Sequence, residues 1–312
     1  METQKIDVII NVFGKPYQTL CTLKSLMLHS GQHIDKIFLI EELQQPYGEQ
    51  IDFILNEFDN VIHYKPNKYC FTPNTYSFGD LNVPENRYCF RYQYGIENSD
   101  KKYVFVTHND ILYTGDILGD MLSEVGSSAG IGLIGQCWNC PAFKANLCDG
   151  NKYKNYNPTY DDVMVTLSQH TPARYTQFQY LVDRSNPMPL PECRLNEFAC
   201  LIDRDVCVKE CPPVGNSRFF GGYDILDLGD AWFRDLVLKG YDFKNYDINR
   251  TSIHGYYSQL ESEIRIYEKN DKENAYSESK FFVSGYPTQL DHYKYVKAEE
   301  FAKRYFENNF KK

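Results

Sequence analysis

The sequence predicts an α/β fold: a mostly parallel sheet flanked by helices, with an irregular cysteine-rich insertion and a small C-terminal extension. Two observations carry this expectation. Near-continuous apolar runs, the mark of strands buried on both faces, alternate with segments of helical period, the mark of crossover helices. The length, 312 residues, is enough for one large domain with a substantial core.

Residues 6–13 (IDVIINVF) read as the first buried strand, ending at Gly14. Residues 16–30 place Leu20, Leu23 and Met27 on one helical face, with Pro16 at the start and Gly31 at the end. Residues 36–42 (KIFLIEE) form a second strand finishing in Glu41 and Glu42. Ile51, Ile54, Leu55 and Phe58 then recur at helical spacing, and NVIHY supplies a third strand. Residues 65–84 lack a period and read as a loop, and residues 85–99 as a helix.

The strand at residues 103–106 delivers His108, Asn109 and Asp110 to the carboxyl edge of the sheet, then turns at Thr114-Gly115 into a helix. An imidazole and a carboxylate two residues apart at such an edge suit a metal or polar ligand. The same residues also suit a loop in which Asp110 accepts backbone hydrogen bonds. AGIGLIGQ is a further strand. From residue 137 to 197 the periodicity fails, apart from 161–168. Strand character returns at 198–206, a helix follows over 223–240 with Gly240 as its stop, and YDFKNYDI leads to a turn carrying His254. A terminal helix is expected over 298–306.

A net charge of -9 and a pI near 5.3 argue against nucleic acid or an anionic membrane as partner, since either needs a dense basic face. No apolar run approaches the length of a transmembrane segment, and the first residues lack an apolar leader, so the expectation is a soluble cytoplasmic protein. Aromatics are abundant, with 26 Tyr and 20 Phe, which suits sugar stacking or reflects the composition of the source genome.

In order and spacing these segments resemble the GT-A glycosyltransferases, in particular the inverting group called family two. IDVIINVFGKPYQTLCTLKSL followed by KIFLIEE resembles the family's opening strand, helix and acidic second strand. The family's Arg-Asn-x-Gly-Ile helix places its glycine thirteen positions before an Asp-x-Asp motif. Gly95 precedes His108 by thirteen, so HND overlays that motif with Asp110 as its second acid. FACLIDRDV resembles the strand after the acceptor region, FFGGYDILDLGDAWFRDLVLKGY the helix carrying the catalytic base, and TSIHG the late histidine. Three departures stand out: His108 replaces the first acid, Gln93 the asparagine, and Arg91 is one residue out of register. The usual Glu-Asp pair is absent.

The resemblance implies a sheet domain over residues 1–260, with a nucleotide-binding half at 1–116 and an acceptor-side insertion at 137–197, and an extension at 261–312. It implies transfer of a sugar from a nucleotide-sugar donor to a glycan or lipid-linked acceptor. The leaving diphosphate needs its charge neutralised, which Mn²⁺ or Mg²⁺ supplies through one or two carboxylates and the substrate's own phosphates. Asp110 is the expected metal ligand and His254 completes the site, an imidazole favouring Mn²⁺. His108 and Asn109 then serve the donor, His108 through ribose or phosphate. Glu41 and Glu42 accept from base or ribose, with Arg91 beside them. The base is a carboxylate on the acceptor side. Asp224, Asp227 and Asp230 compete for that role, with Asp227 first, Asp230 second and Asp224 a natural helix N-cap. The insertion and the aromatic loop at 69–78 are the expected acceptor surfaces. The missing Glu-Asp pair keeps a second expectation open, a catalytically silent relative that binds a glycan or assembles with partners.

The ten cysteines are buried hydrophobes, metal ligands or reactive thiols in a reducing compartment. Cys137-Trp-Asn-Cys140, with Cys148 and Cys193, would make a structural Zn²⁺ site tying down a segment too polar to build its own core. Buried free thiols are the alternative.

Overall fold

The structure is a computed structural model that describes residues 4–43, 45–46, 49–68, 76–135, 140–172, 175–223, 228–259 and 289–311. Its strands are β1 Ile6–Val12, β2 Ile34–Glu41, β3 Val61–Tyr64, β4 Tyr103–Thr107, β5 Ile111–Tyr113, β6 Gly130–Ile134, β7 Leu195–Asp203, β8 Phe243–Asn245 and β9 Ser252–His254. Seven of them form one sheet in the order β3-β2-β1-β4-β7-β6-β8, parallel except for β7, which runs antiparallel to both β4 and β6. This is the mostly parallel, Rossmann-like sheet that the sequence predicts.

Alternation along the central strands divides the core between two faces. Ile6, Val8, Ile10 and Val12 of β1 pack with Phe105 of β4, the first helix, Pro16–Ser30 (α1), and the C-terminal helix, Gln289–Asn309. Ile9, Phe38, Val104 and Val106 point the other way, toward Ile96, Phe178 and Trp232. Gly95 explains its own place in the sequence motif. A Cβ there would lie 2.7 Å from Cγ1 of Ile9, so only glycine lets the helix Gln93–Asn98 seat on β1.

Several expectations need correction. Residues 141–181 are not structureless: they form the helices Pro141–Lys144, Tyr160–Gln169 and Tyr175–Leu181. Ala142, Tyr153, Val163, Leu167 and Phe178 of this region belong to the second-face core, so the segment builds a core after all. The helix expected over 85–99 is two short ones, Pro84–Arg87 and Gln93–Asn98, and the one expected over 51–58 spans only Asp52–Leu55. Residues 65–84 contain the helix Phe78–Leu81, which starts on a capping box between Ser77 and Asp80. The helix expected over 223–240 is Asp230–Leu238, entered through Gly229 with φ 91°, so that helix takes Gly229 rather than Asp224 as its N-cap.

The C-terminal helix lies along α1 and completes its N-terminus. The first amides of a helix have no partner within it, and the N-cap Lys15 offers no side-chain cap. Glu299 accepts from the amides of Tyr17 (2.8 Å) and Gln18 (3.3 Å) instead, and the hydroxyl of Tyr295 accepts from the amide of Lys15 (2.9 Å). Burial pushes the Glu299 carboxyl up to about 7 against the pull of those two amides.

Two measurements check this packing. Gly95→Ala should lower stability by about 1–3 kcal/mol through overpacking against Ile9, read as a lower urea midpoint at unchanged slope. Glu299 keeps its proton to higher pH in the native state than in the unfolded chain. Its contribution is therefore fully present below about pH 4.5 and is lost as pH rises through about 7. Melting temperatures of the wild type should fall across that window relative to Glu299→Gln, and parallel profiles would contradict the assignment.

Candidate functional site

The site is built on the segment that follows β4. After Thr107 the chain does not pass straight into a helix but forms β5, which pairs antiparallel with β9, Ile111 opposite His254. The amide of Gly255 also donates to the carbonyl of Asp110 (2.9 Å). The other side of the segment faces α1. Asn109 donates to Thr19, the amide of Ile111 to the hydroxyl of Thr22, and the amide of Tyr113 to the hydroxyl of Ser25, each at 3.0–3.1 Å. Thr19, Thr22 and Ser25 recur every three residues, so one stripe of α1 carries a ladder of hydroxyls. Between that ladder and β9, Asp110 has one position available, and His254 comes beside it.

His108, Asp110 and His254 each offer a ligand atom, and these atoms all lie within 4.8 Å of one another. Asp110 is 2% exposed, and its Oδ1 lies 3.4 Å from Nε2 of His254. Its Oδ2 forms an ion pair with Nζ of Lys15 at 2.7 Å. Burial alone would raise the Asp110 carboxyl, but the Lys15 ammonium, followed by His254 and His108, outweighs it and holds the group well below the usual carboxylate range. Burial lowers His108, so its ring is neutral at neutral pH despite the carboxylates of Glu197 and Asp110. Nε2 of His108 is buried, 3.7 Å from Glu197 Oε1, and has no hydrogen-bond partner among the described residues. Two imidazoles and one ionised carboxylate, with a buried ring nitrogen of His108 left over, fit a divalent cation of borderline character. His108, expected from the sequence to serve the donor, thus stands in the same candidate cluster as the expected ligands Asp110 and His254.

Lys15 reaches Asp110 because Gly14 and Lys15 both adopt the left-handed conformation, φ 64° and 57°, at the end of β1. A Cβ on Gly14 would lie 2.8 Å from Pro46 and 3.1 Å from the Tyr295 hydroxyl, so the turn requires glycine. Asn109 holds the same turn, donating to the carbonyl of Gly14 (3.1 Å).

The other residues singled out in the sequence lie along the same sheet edge in separate groups. Glu42 accepts from Asn11 (2.8 Å) and pairs with Nε of Arg91 at 3.4 Å. Glu41 pairs with Lys65 and with His63 at 2.9 Å. Asp230 is 1% exposed in the first turn of its helix, where the helix dipole favours a carboxylate. Asp224 and Asp227 lie outside the described residues, as do residues 69–75 of the aromatic loop.

Three participants stand outside the motifs legible in the sequence. Besides Lys15 these are Glu197 and Arg194 on and beside β7. Arg194 is buried, lies 3.6 Å from Glu197, and donates to Oδ1 of Asn196 (3.0 Å) and to the carbonyl of Leu228 (2.7 Å). That last bond ties His108 and Glu197 to the turn before Asp230. The visible clue was a charged pair three residues apart at the head of an otherwise apolar strand, RLNEFACLI.

Cys140, Cys148 and Cys193 line one cavity of about 20 Å³ together with Met188, Leu190 and Glu192. Among the described residues the only groups of three or more candidate ligands at metal spacing are His108–Asp110–His254 and Asp7–Asp35–Asp100. Cys137 lies outside them. The acidic group sits at the opposite end of the sheet and is neutralised locally: Ser99 donates to Asp7 (2.6 Å), and Lys101 pairs with Asp35 (2.7 Å) and Asp100 (3.1 Å).

Fold and site together define a Rossmann-like α/β protein with a candidate cation cluster at the carboxyl edge of its sheet. Among solved structures the chain is similar to the mannosyltransferase PcManGT from Pyrobaculum calidifontis in complex with GDP-Man and Mn2+, at 7% identity and a TM-score of 0.47, over 78% of this chain and 55% of that one. It is also similar to S. aureus TarS 1-349, at 11% identity and a TM-score of 0.41, over 98% of this chain and 74% of that one. The chain thus spans about half the length of the mannosyltransferase. No protein-family model matches it, and no curated protein matches it in sequence.

Asn109 tests the architecture apart from any ligand. Asn109→Ala would leave the Gly14 carbonyl and the Thr19 hydroxyl without their buried donor, and should cost about 1–3 kcal/mol in chemical denaturation.

Proposed function

We propose that the chain is a metal-dependent glycosyltransferase of GT-A type, moving a sugar from a nucleotide-diphosphate sugar to a hydroxyl of a glycan or lipid-linked acceptor with inversion. One observation carries the reading: His108, Asp110 and His254 converge beside the carboxyl ends of β1 and β4. In the order β3-β2-β1-β4 the succession of parallel strands reverses between those two, and open α/β sheets bind ligands at that crevice.

A divalent cation held by Asp110, His254 and His108 would neutralise the diphosphate, and two imidazoles favour Mn²⁺ over Mg²⁺. In this reading Glu41, Glu42 and Arg91 line the nucleotide end. Glu42 and Arg91 are already paired, which presents an acceptor and a donor together to a base or ribose. Asp227 or Asp230 takes the proton of the attacking hydroxyl. The Arg194–Leu228 bond supports this, because it holds the chain before Asp230 to the strand that carries Glu197. Residues 1–260 form the catalytic domain, with the insertion at 137–197 on the acceptor side. For a structural Zn²⁺ on Cys137, Cys140, Cys148 and Cys193 the described thiols give no support: Cys140, Cys148 and Cys193 line one cavity but do not form a ligand group at metal spacing.

The silent, glycan-binding alternative draws on a specific feature, the Lys15 ammonium already paired with Asp110. A panel of nucleotide sugars scored by thermal shift with and without Mn²⁺ separates the two readings. A transferase is stabilised by at least one donor, and the shift grows with the metal. No response to any donor favours the silent protein. Once a donor is found, Asp110→Ala and Asp227→Asn should each abolish transfer, and full activity in either variant removes that residue from its role.

A further inference from the structure

Lys15 holds the carboxylate that a metal would need. Its ammonium lies 2.7 Å from Oδ2 of Asp110, while Oδ1 faces His254 at 3.4 Å. The side chains of the pair are 24% and 3% exposed, so water screens the contact weakly. The ammonium is also delivered by a fixed turn. Lys15 has φ 57°, donates its amide to Tyr295, and is followed by Pro16 at the first position of α1. Its carbonyl accepts from the amide and the hydroxyl of Thr19, both at 2.8 Å.

A divalent cation bound by His108, His254 and Asp110 would share one buried carboxylate with this ammonium. An imidazole binds a metal through a nitrogen lone pair, so neither histidine contributes a compensating negative charge. Glu197, the nearest other carboxylate in the cluster, lies within 3.6 Å of the Arg194 guanidinium. Among the described residues of the cluster, three positive charges would then face one carboxylate not engaged by an arginine, and in a largely buried site they repel strongly.

We infer that Lys15 is a resident counter-cation of this site, which competes with a divalent metal for Asp110 and is released toward the donor's diphosphate when the metal binds. The inference rests on the site assignment above, but competition at Asp110 needs no sugar transfer. Lys15 neutralises Asp110 in the metal-free protein, which keeps a buried carboxylate tolerable. A nucleoside diphosphate gives the displaced ammonium a new anionic partner, so metal and diphosphate each raise the affinity for the other by the same factor. The metal is then taken up mainly with its substrate.

The test is calorimetric titration of MnCl₂ into the full chain, alone and with saturating UDP or GDP, comparing wild type, Lys15→Met and Lys15→Arg. In the absence of nucleotide, Lys15→Met should bind Mn²⁺ about tenfold more tightly or better, while Lys15→Arg, which keeps the charge, should not. The nucleotide should strengthen Mn²⁺ binding in the wild type and do so much less in Lys15→Met. Circular dichroism melts establish that each variant is folded, and Lys15→Gln replaces Lys15→Met if it is not. Equal Mn²⁺ affinity in wild type and the neutral variants, or no Mn²⁺ binding in any of them, overturns the inference. The outcomes stay distinct from the proposed function. Tighter metal binding in Lys15→Met without transfer of any sugar refutes the transferase alone, and transfer with unchanged metal affinity refutes the competition alone.

Discussion

The structure of the site depends on how three residues of backbone, Ile111 to Tyr113, are satisfied. A strand this short, buried on all three positions and paired along one edge only, has no water to bond the amides of its other edge. Two sources meet the need from opposite sides. The hydroxyls of Thr22 and Ser25 on α1 accept from alternate amides, and β9 pairs with the other edge. Remove either side and buried donors lose their partners, at a cost of about 1–3 kcal/mol each. This double clamp fixes Asp110 at the head of β5 and, because β9 ends in His254, fixes the histidine with it.

Charge follows the same logic of mutual support. From Lys15 the cluster runs through Asp110 to the two imidazoles, then to Glu197 and Arg194, so an ion pair stands at each end of a largely buried line. None of these groups would sit comfortably alone at its depth, and each is held by its neighbour. Arg194 extends the line to backbone, through the Leu228 carbonyl, and so joins the sheet to the helix that begins at Asp230. Geometry in one half of the site therefore answers to packing in the other.

Much of the scaffold was legible because it is local and strongly patterned. The apolar runs of β1, β2 and β4, and the Pro16–Ser30 helix with its flanking proline and glycine, fall where period and punctuation place them. The Gly95-to-His108 spacing was also readable, and the contact of Gly95 with Ile9 supplies its reason. What escaped was non-local or short. β5 and β9 have three residues each, below any periodicity, and they pair across about 140 residues of chain. Thr19, Thr22 and Ser25 are unremarkable residues in a helix until a strand edge needs acceptors. Lys15 reads as an ordinary surface lysine, because only a left-handed turn points it inward. The insertion shows no period because its apolar residues, Ala142, Tyr153, Val163, Leu167 and Phe178, are widely spaced and meet only on the sheet.

The capping of α1 by the C-terminal helix has a consequence for the order in which the molecule is completed. Tyr17 and Gln18 find their partner in Glu299, and Lys15 in Tyr295, some 280 residues later in the chain. Contacts closing so long a loop bring their reward only after the intervening chain is ordered. The sheet can assemble as its strands emerge from the ribosome, but the turn that aims Lys15 gains these contacts only when residues 295–299 arrive. A polypeptide stopped short of Tyr295 would carry the scaffold without the contacts that set that turn.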